Sequence, residues 1–572
     1  MMNNKLVVYP DRIEIHIDRS DMTTRLLIEK NLYPFHTNRI RTIYKVSIRK
    51  IPEVLALLRR VDESNIGTAP EQIINAYYAE MSKRAKQVFG DGNPKVTESL
   101  TLMRHQQYAR ELAKVYDRFG LFYDTRTGKT PTSLAIINDD LQEHPDHKWL
   151  VVCPLILMEN AWMEDAKDFV PDIKVVKCHA TTKEKRLKEI AKDASIYILN
   201  TESFVAYIDY FKDKKFTGCI VDESSSMKSS SSKVGEALVE FSQTVKRWYL
   251  LSGTPAPNGE WEYYKQLQSI DYYCVPQSYS QFKARYFVNV SRNPQYDDLV
   301  LRGDNKDELI SIIQSNCIYA DKADVLTLPG REFKEVEYAM LPSAKTIYKD
   351  MKNKMAVELQ DEVTITAVTA AAKYNKLNQL ASGILIDTRA VKENQYNDSD
   401  LTEWYEVDNG RKNQFMKILK HINKTEPNAQ IVVWANYKSE FRILEDLVDH
   451  DCVILNGEVS AAEKVENIRK FKQGNVRFLL ANPASADKGL TLTNAHIAIY
   501  FSLNFSYEKH KQSMDRIYAD VMKQPNKCTY YILLAEHTIN GPMYREVLQG
   551  KENASYAILN HIRGDFNATK DC

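Results

Sequence analysis

Short apolar runs recur along this chain, and each stops on polar residues. Leu150-Val151-Val152-Cys153, Ile196-Tyr197-Ile198-Leu199, Cys219-Ile220-Val221 and Trp248-Tyr249-Leu250-Leu251 are too short for helices and rich in β-branched and aromatic residues. Several give way at once to polar groups: Asn200-Thr201-Glu202, Asp222-Glu223 and Ser252-Gly253-Thr254. Strands buried on both faces of a parallel sheet read this way, with polar residues collected at the carboxyl edge. The pattern pauses and then returns, with runs at 430–434, 451–455, 476–480, 497–501 and 530–534. Residues 96–270 and 405–550 are therefore expected to form two α/β lobes in tandem, each built on a parallel sheet.

The remaining segments frame these lobes. Residues 1–95 read as a small α+β domain with strands at 6–9, 13–17 and 44–48, helices at 54–58 and 71–88, and a turn at 91–94. Arg39, Arg41, Lys45, Arg49 and Lys50 lie near tyrosines and histidines there, as a nucleic-acid-binding face or as an ordinary solvated one. Residues 271–404 are less periodic and tyrosine-rich, with helices expected over 345–358 and 363–380 as an insertion between the lobes. Residues 551–572 form a polar tail.

One loop inside the first lobe carries a chemical signature. The run Leu121-Phe122-Tyr123 ends in Asp124-Thr125-Arg126-Thr127-Gly128-Lys129-Thr130, and a helix-forming stretch follows. Strand, polar loop and helix in this order make a phosphate-binding loop, whose backbone N–H groups and helix N-terminus face the anion. Gly128 allows close backbone approach, Lys129 reaches the β- and γ-phosphates, and the Thr130 hydroxyl ligates Mg²⁺.

Bulk properties exclude other classes. At 572 residues the chain exceeds a single core. No apolar run approaches the roughly 20 residues of a membrane span, and no secretory signal is expected at the polar N-terminus. The eight cysteines form no Cys-x-x-Cys pair, so reduced thiols in a cytoplasmic protein are expected rather than a zinc site. A net charge of +1 does not announce nucleic acid, so binding must rest on local patches.

Read in order, the motifs resemble a known family. LMRHQ precedes DTRTGKT; VVCPLILMENAWMEDAKDF, VDESSSMK and LSGTPAPN follow; the second half holds IVVWANY, LNGEVSAAEKVENIRKFKQG, SADKGLTLTNA and QSMDRIYADVMKQ. YADKADVLTLPG and KLNQLASGIL echo the segment between halves. Over roughly residues 100–540 the chain resembles the Swi/Snf-type superfamily 2 helicases and translocases. The resemblance implies two RecA-like lobes, ATP and Mg²⁺ as cofactors, and double-stranded or branched DNA as partner, with no membrane and a monomeric state. Gln106 would pair with the adenine edge, with Gln107 as the register alternative. Asp222 would hold the Mg²⁺ shell with Thr130, and Glu223 would orient and deprotonate the attacking water. Ser252 and Thr254 would couple nucleotide state to domain closure. Gly489 belongs to the nucleotide motifs of the second half, and Arg516 fills the first arginine of the last motif. Pro154, Asn200, Thr201, Asn436 and Ser485 follow strands and would grip DNA phosphates without reading sequence. Lys183, Lys185, Arg186 and Lys188 read as a solvated helix face or as a second phosphate track.

The pattern breaks in two places. The second arginine of the last motif is replaced by Ala519, which leaves three readings open: an introduced substitution, a substitute cation such as Arg516 or Lys488, or a hydrolysis-deficient DNA-binding module. The phosphate loop has Tyr123 and Arg126 where glycines are usual. The function implied is a DNA-dependent ATPase that translocates on or remodels DNA in phage or bacterial recombination, repair or replication. A strand-separating helicase is the alternative.

Overall fold

The computed structural model describes residues 5–8, 12–18, 36–37, 41–47, 79, 82–83, 102–212, 214–291, 298–354, 356–358, 364–366, 370–387, 404–485 and 490–550. The chain divides at Val325/Leu326 into two compact units. The helices expected at 54–58 and 71–88 fall almost wholly outside the described residues.

Within the first unit, β1 (Lys5–Val8), β2 (Arg12–Asp18), β3 (His36–Thr37) and β4 (Arg41–Ser47) form an antiparallel sheet in the order β1-β2-β4-β3. Ile13, Ile15 and Ile17 alternate with Glu14 and His16, and Tyr44 and Val46 pack beside them. Ser47 hydrogen-bonds Asp271, and Arg12 lies 5.8 Å from the Tyr273 ring centroid, so this sheet is tied to residues just past the first lobe's last expected strand.

The first lobe is an all-parallel sheet of seven strands. They are β5 (Arg118–Tyr123), β6 (Trp149–Cys153), β7 (Val175–Lys177), β8 (Ile196–Asn200), β9 (Gly218–Asp222), β10 (Arg247–Leu251) and, beyond a small antiparallel hairpin of β11 (Phe287–Asn289) and β12 (Leu299–Leu301), β13 (Cys317–Ala320). The order β13-β5-β10-β9-β6-β8-β7 places the phosphate-loop strand beside β10 and one strand from β9. Both faces are covered. Leu150, Val152, Val221 and Leu250 pack on one side, and Val151, Ile198, Ile220 and Leu251 on the other. That is why each strand reads as a continuous apolar run.

The second lobe is a six-stranded, all-parallel sheet: β14 (Arg331–Tyr338), β19 (Ile431–Trp434), β20 (Cys452–Leu455), β21 (Phe478–Ala481), β22 (Ile497–Tyr500) and β23 (Cys528–Ala535), in the order β14-β23-β22-β19-β21-β20. Between β14 and β19 lie two short hairpins, β15 (Ala356–Glu358) with β16 (Thr364–Thr366), and β17 (Ile384–Ile386) with β18 (Trp404–Glu406).

The segment 271–404 mixes strands with its helices, which include Tyr279–Tyr286 and Gly303–Asn316 besides the two expected. One strand, β13, completes the first sheet, and another, β14, edges the second. The helix expected over 345–358 runs instead as Pro342–Lys354 and yields to β15; that expected over 363–380 is Ala370–Ala381. Thr364-Ile365-Thr366 is β-branched throughout, and such side chains lose rotamer freedom in a helix but pack well in a hairpin.

Candidate nucleotide site and strand-edge residues

The phosphate loop leaves β5 at Tyr123 and enters the helix Lys129–Glu143. Its turns are closed internally. Asp124 Oδ1 accepts from the Thr125 amide (2.9 Å), Thr127 Oγ1 donates to the Asp124 carbonyl (2.8 Å), and the Asp124 amide donates to Ala320 at the end of β13 (2.9 Å). Two loop residues are left-handed, Arg126 at φ 64° and Gly128 at φ 85°. The usual glycine at 126 thus answers a backbone need, and Arg126 meets it at a cost of about 1–2 kcal/mol. Gly128 is constrained twice, since a Cβ there would also sit 1.8 Å from Gln106 Nε2.

Gln106 is buried against this loop. Its Nε2 donates to the Thr127 carbonyl (3.0 Å), and its Oε1 accepts from the Met103 amide (2.8 Å). One N–H and one lone pair stay available for a base edge. Gln107, the alternative, donates to the Leu102 carbonyl (2.6 Å). His105 Nε2 donates to the same Thr127 carbonyl (2.7 Å), burial holds its pKa below the ordinary histidine value, and its ring meets Tyr123 edge-on at 5.1 Å. Tyr123 in turn donates through its hydroxyl to the His105 carbonyl (2.7 Å). The tyrosine at the place of a usual glycine therefore braces the loop from below.

Lys129 folds back to donate to the carbonyls of Tyr123 (3.0 Å) and Asp124 (3.1 Å), leaving its third N–H for an anion. Asp222 ends β9 and is buried. Burial and the neighbouring Glu223 raise its pKa to about 6, opposed by the Trp162 hydrogen bond and the charge of Lys129. Trp162 Nε1 donates to Asp222 Oδ2 (2.9 Å), and the Glu223 amide donates to Oδ1 (2.9 Å). Glu223 is left-handed at φ 55°, a strained turn that lifts its carboxylate off the strand direction. Ser224 Oγ donates to Gln266 Oε1 (2.8 Å), and Gln266 Nε2 donates to the Pro255 carbonyl (2.7 Å), so the turn after Asp222 is tied to the Ser252–Pro255 turn after β10. That second turn packs on the phosphate loop: a Cβ on Gly253 would lie 3.2 Å from Thr125 Cγ2.

Thus Gln106, Gly128, Lys129, Thr130, Asp222 and Glu223 gather at one carboxyl edge. Among the described residues no group of three or more His, Cys, Asp or Glu side chains makes a metal cage. One buried carboxylate with lone pairs to spare, beside a helix-opening threonine, fits a magnesium ion held mostly by water and substrate phosphates. Sequence reasoning gave no role to Lys322, which lies in the YADKADVLTLPG segment, is buried and donates to Thr125 Oγ1 (3.1 Å).

Pro154 follows β6 at the same edge, Asn200 ends β8 and Thr201 opens the helix after it. Both of the latter side chains are buried, and Asn200 Nδ2 donates to Glu202 (2.7 Å). A phosphate here would meet backbone N–H groups rather than the Asn200 amide.

The second lobe places Asn436 and Ser485 at its own carboxyl edge. Asn436 donates through its backbone N–H to Glu440 Oε2 and Ser502 Oγ (both 2.9 Å), and accepts at Oδ1 from Asn504 (3.2 Å). Asn482 Nδ2 donates to the Asn436 carbonyl (3.0 Å), and the Ser485 amide donates to the Asn482 carbonyl (2.9 Å). Beneath this amide-rich ledge, Arg411 is fully buried, with bonds to Tyr338 Oη (2.7 Å), the Ala381 carbonyl (2.9 Å), Asn540 Oδ1 (2.6 Å) and the Phe501 carbonyl. Buried Glu440 has its pKa raised by desolvation, partly offset by Ser502 and Arg411. Arg516 is buried within this lobe and donates to the Leu490 carbonyl (3.3 Å); Ala519 is 3% exposed. Gly489 lies outside the described residues, as does Lys488.

Two family models match along the chain. The SNF2-related domain matches residues 53–396, and the helicase conserved C-terminal domain matches residues 412–519. A protein designated p41 from Acyrthosiphon pisum secondary endosymbiont phage 1 is 24% identical over 68% of this chain and 82% of its own. The DNA repair and recombination protein RAD54-like of Drosophila erecta is 22% identical over 78% of this chain, which spans 60% of that protein. The human DNA annealing helicase and endonuclease ZRANB3 is 24% identical over 78%, and the chain spans 38% of it. Among solved structures, the Sulfolobus solfataricus SWI2/SNF2 ATPase core in complex with dsDNA is 20% identical, covering 80% of this chain and 94% of that one, with a TM-score of 0.38. With one family matched over more than half its length and the helicase C-terminal domain following, the chain belongs to the SNF2-related family, the ATP-hydrolysing helicases and translocases of superfamily 2.

Proposed function

We propose that this chain is a DNA-dependent ATPase that translocates on or remodels duplex or branched DNA in recombination, repair or replication. One observation carries the reading: Lys129, Asp222 and Glu223 converge at one sheet edge, on a loop braced by Gln106. Lys129 and the amides at the helix N-terminus bind the phosphates, and Gln106 reads the adenine edge. Asp222 and Thr130 hold Mg²⁺, which when bound neutralises charge on the transferred phosphoryl group. Glu223 takes the proton of the attacking water. The edges at Pro154, Asn200–Thr201, Asn436 and Ser485 hold phosphates through backbone amides and hydroxyls, which suits movement independent of sequence. The names of the RAD54-like and ZRANB3 relatives support DNA as the partner.

The test is ATP turnover with single-stranded DNA, duplex DNA, forked DNA and RNA. Stimulation is expected to be greatest with duplex or forked DNA. Stimulation by RNA alone, or by nothing, contradicts the reading. Displacement of a triplex strand without unwinding of a plain duplex separates translocation from strand separation.

Buried Ala519 favours a second reading, a hydrolysis-deficient DNA-binding module. Arginine fingers contribute roughly 10³–10⁵ in rate. Ala519→Arg is expected to raise DNA-stimulated turnover at least tenfold in a side-by-side assay; an unchanged rate assigns the role to Arg516 or another cation.

A further inference from the structure

Trp162 hydrogen-bonds Asp222, the carboxylate that ends β9. After β6, Pro154 turns the chain into a helical stretch whose first residue, Leu155, is 49% exposed at the sheet's carboxyl edge. One turn later the α register is interrupted: Met158–Met163 is a π turn, and α geometry resumes at Glu164. Such turns are rare, carry one residue more than the α ladder accommodates, and are found often at functional sites. Trp162 lies in this turn. Its indole is fully buried with Met158, Cys153 and Ile220, and its N–H ends 2.9 Å from Asp222 Oδ2. Among the described contacts of this stretch, no other side chain hydrogen-bonds the carboxylate expected to face the metal.

The geometry points to Trp162 as a positioning residue that transmits nucleic-acid occupancy at Pro154–Leu155 to the orientation of Asp222. A phosphate held at the Pro154–Leu155 turn, as proposed above, lies just before a segment whose pitch changes in the next turn. Any change of pitch there moves the indole N–H along the carboxylate and turns Asp222 about its own axis. The Glu223 amide grips the other oxygen, so the two donors together set the plane of the carboxylate. This inference rests on the DNA-dependent reading above, but it adds a residue and a route.

The test compares Trp162→Phe, which keeps an aromatic ring and removes the N–H, with wild type. The first readout is the ratio of duplex-stimulated to basal ATP turnover. A residue that merely fills the core lowers both rates together and leaves the ratio intact; a transmitting residue brings the ratio down close to one. The second readout is binding of a fluorescent ATP analogue with and without Mg²⁺: the gain in affinity from Mg²⁺ is expected to fall at least fivefold. If Trp162→Phe does not fold, benzothienylalanine at 162, which puts sulfur in place of the N–H, gives the same comparison with packing retained. A ratio within twofold of wild type and an unchanged Mg²⁺ gain overturn the assignment while leaving the proposed function standing. Absence of stimulation in wild type instead overturns the proposed function.

Discussion

The two lobes share a parallel-sheet plan but use their buried polar groups differently. In the first, Gln106, His105, Tyr123 and Lys322 brace one loop, and two carboxylates, Asp222 and Glu223, stand at the same sheet edge. In the second, Arg411 and Glu440 are sealed inside the lobe and organise a ledge of asparagines. The first arrangement gathers charged groups around the phosphate loop, several of them buried. The second leaves hydrogen-bonding groups on the surface and hides the charge. On the proposed function, the residues of the first lobe react and those of the second grip.

The sharpest way to break this contrast is to remove the base. Glu223→Gln is expected to lower ATP turnover by roughly 10²–10⁴ while nucleotide binding persists, measured by steady-state hydrolysis and by equilibrium titration. Matching loss from Asn436→Ala without DNA present would erase the division of labour. Next in size is Arg411→Met, which strands Glu440 without its nearby buried cation. Urea unfolding is expected to show a loss of about 3–5 kcal/mol in the second lobe, with ATP binding by the first unchanged.

Acid sharpens the comparison at two buried groups, one in each lobe, that respond with opposite sign. The folded pKa of Asp222 is raised from 3.8 to about 6, chiefly by burial and then by Glu223, so its stabilising contribution is full below pH 3.8 and is lost as pH rises through 6. Burial lowers His510, in the helix Tyr507–Met514, from 6.5 to about 4, so its contribution is full above pH 6.5 and is lost as pH falls toward 4. Each is on the order of 3 kcal/mol. Between pH 7 and 5, hydrogen exchange corrected for intrinsic rate is expected to slow in β9 and quicken in Tyr507–Met514. Parallel changes would contradict the account. The smallest effect is Arg126→Gly, which relieves a left-handed side-chain residue in the phosphate loop and is expected to stabilise the first lobe by about 0.5–1 kcal/mol in thermal unfolding.

Most of both sheets was legible, because strands buried on two faces leave unbroken apolar runs. Three strands escaped, β7, β13 and β14. β7 is only three residues long, and β14 has one solvated face; Arg331, Glu332, Lys334, Glu335 and Glu337 within eight residues hide its pairing with β23. β13 was hidden differently, since Cys317-Ile318-Tyr319-Ala320 is short and lies in a segment without alternation. At the site, the loop, lysine and carboxylates were legible from order and spacing. Trp162 and Lys322 were not, because their roles depend on which strands become neighbours. The left-handed turn at Arg126 explains why glycine is usual there, something a departure from pattern could flag but not interpret.

The most direct measurement is ATP hydrolysis by the full chain with and without duplex DNA, beside Lys129→Ala. Turnover stimulated severalfold by duplex and abolished in the variant is the result expected. Turnover that ignores DNA, or that survives loss of Lys129, would mean that this loop is not where the phosphates bind.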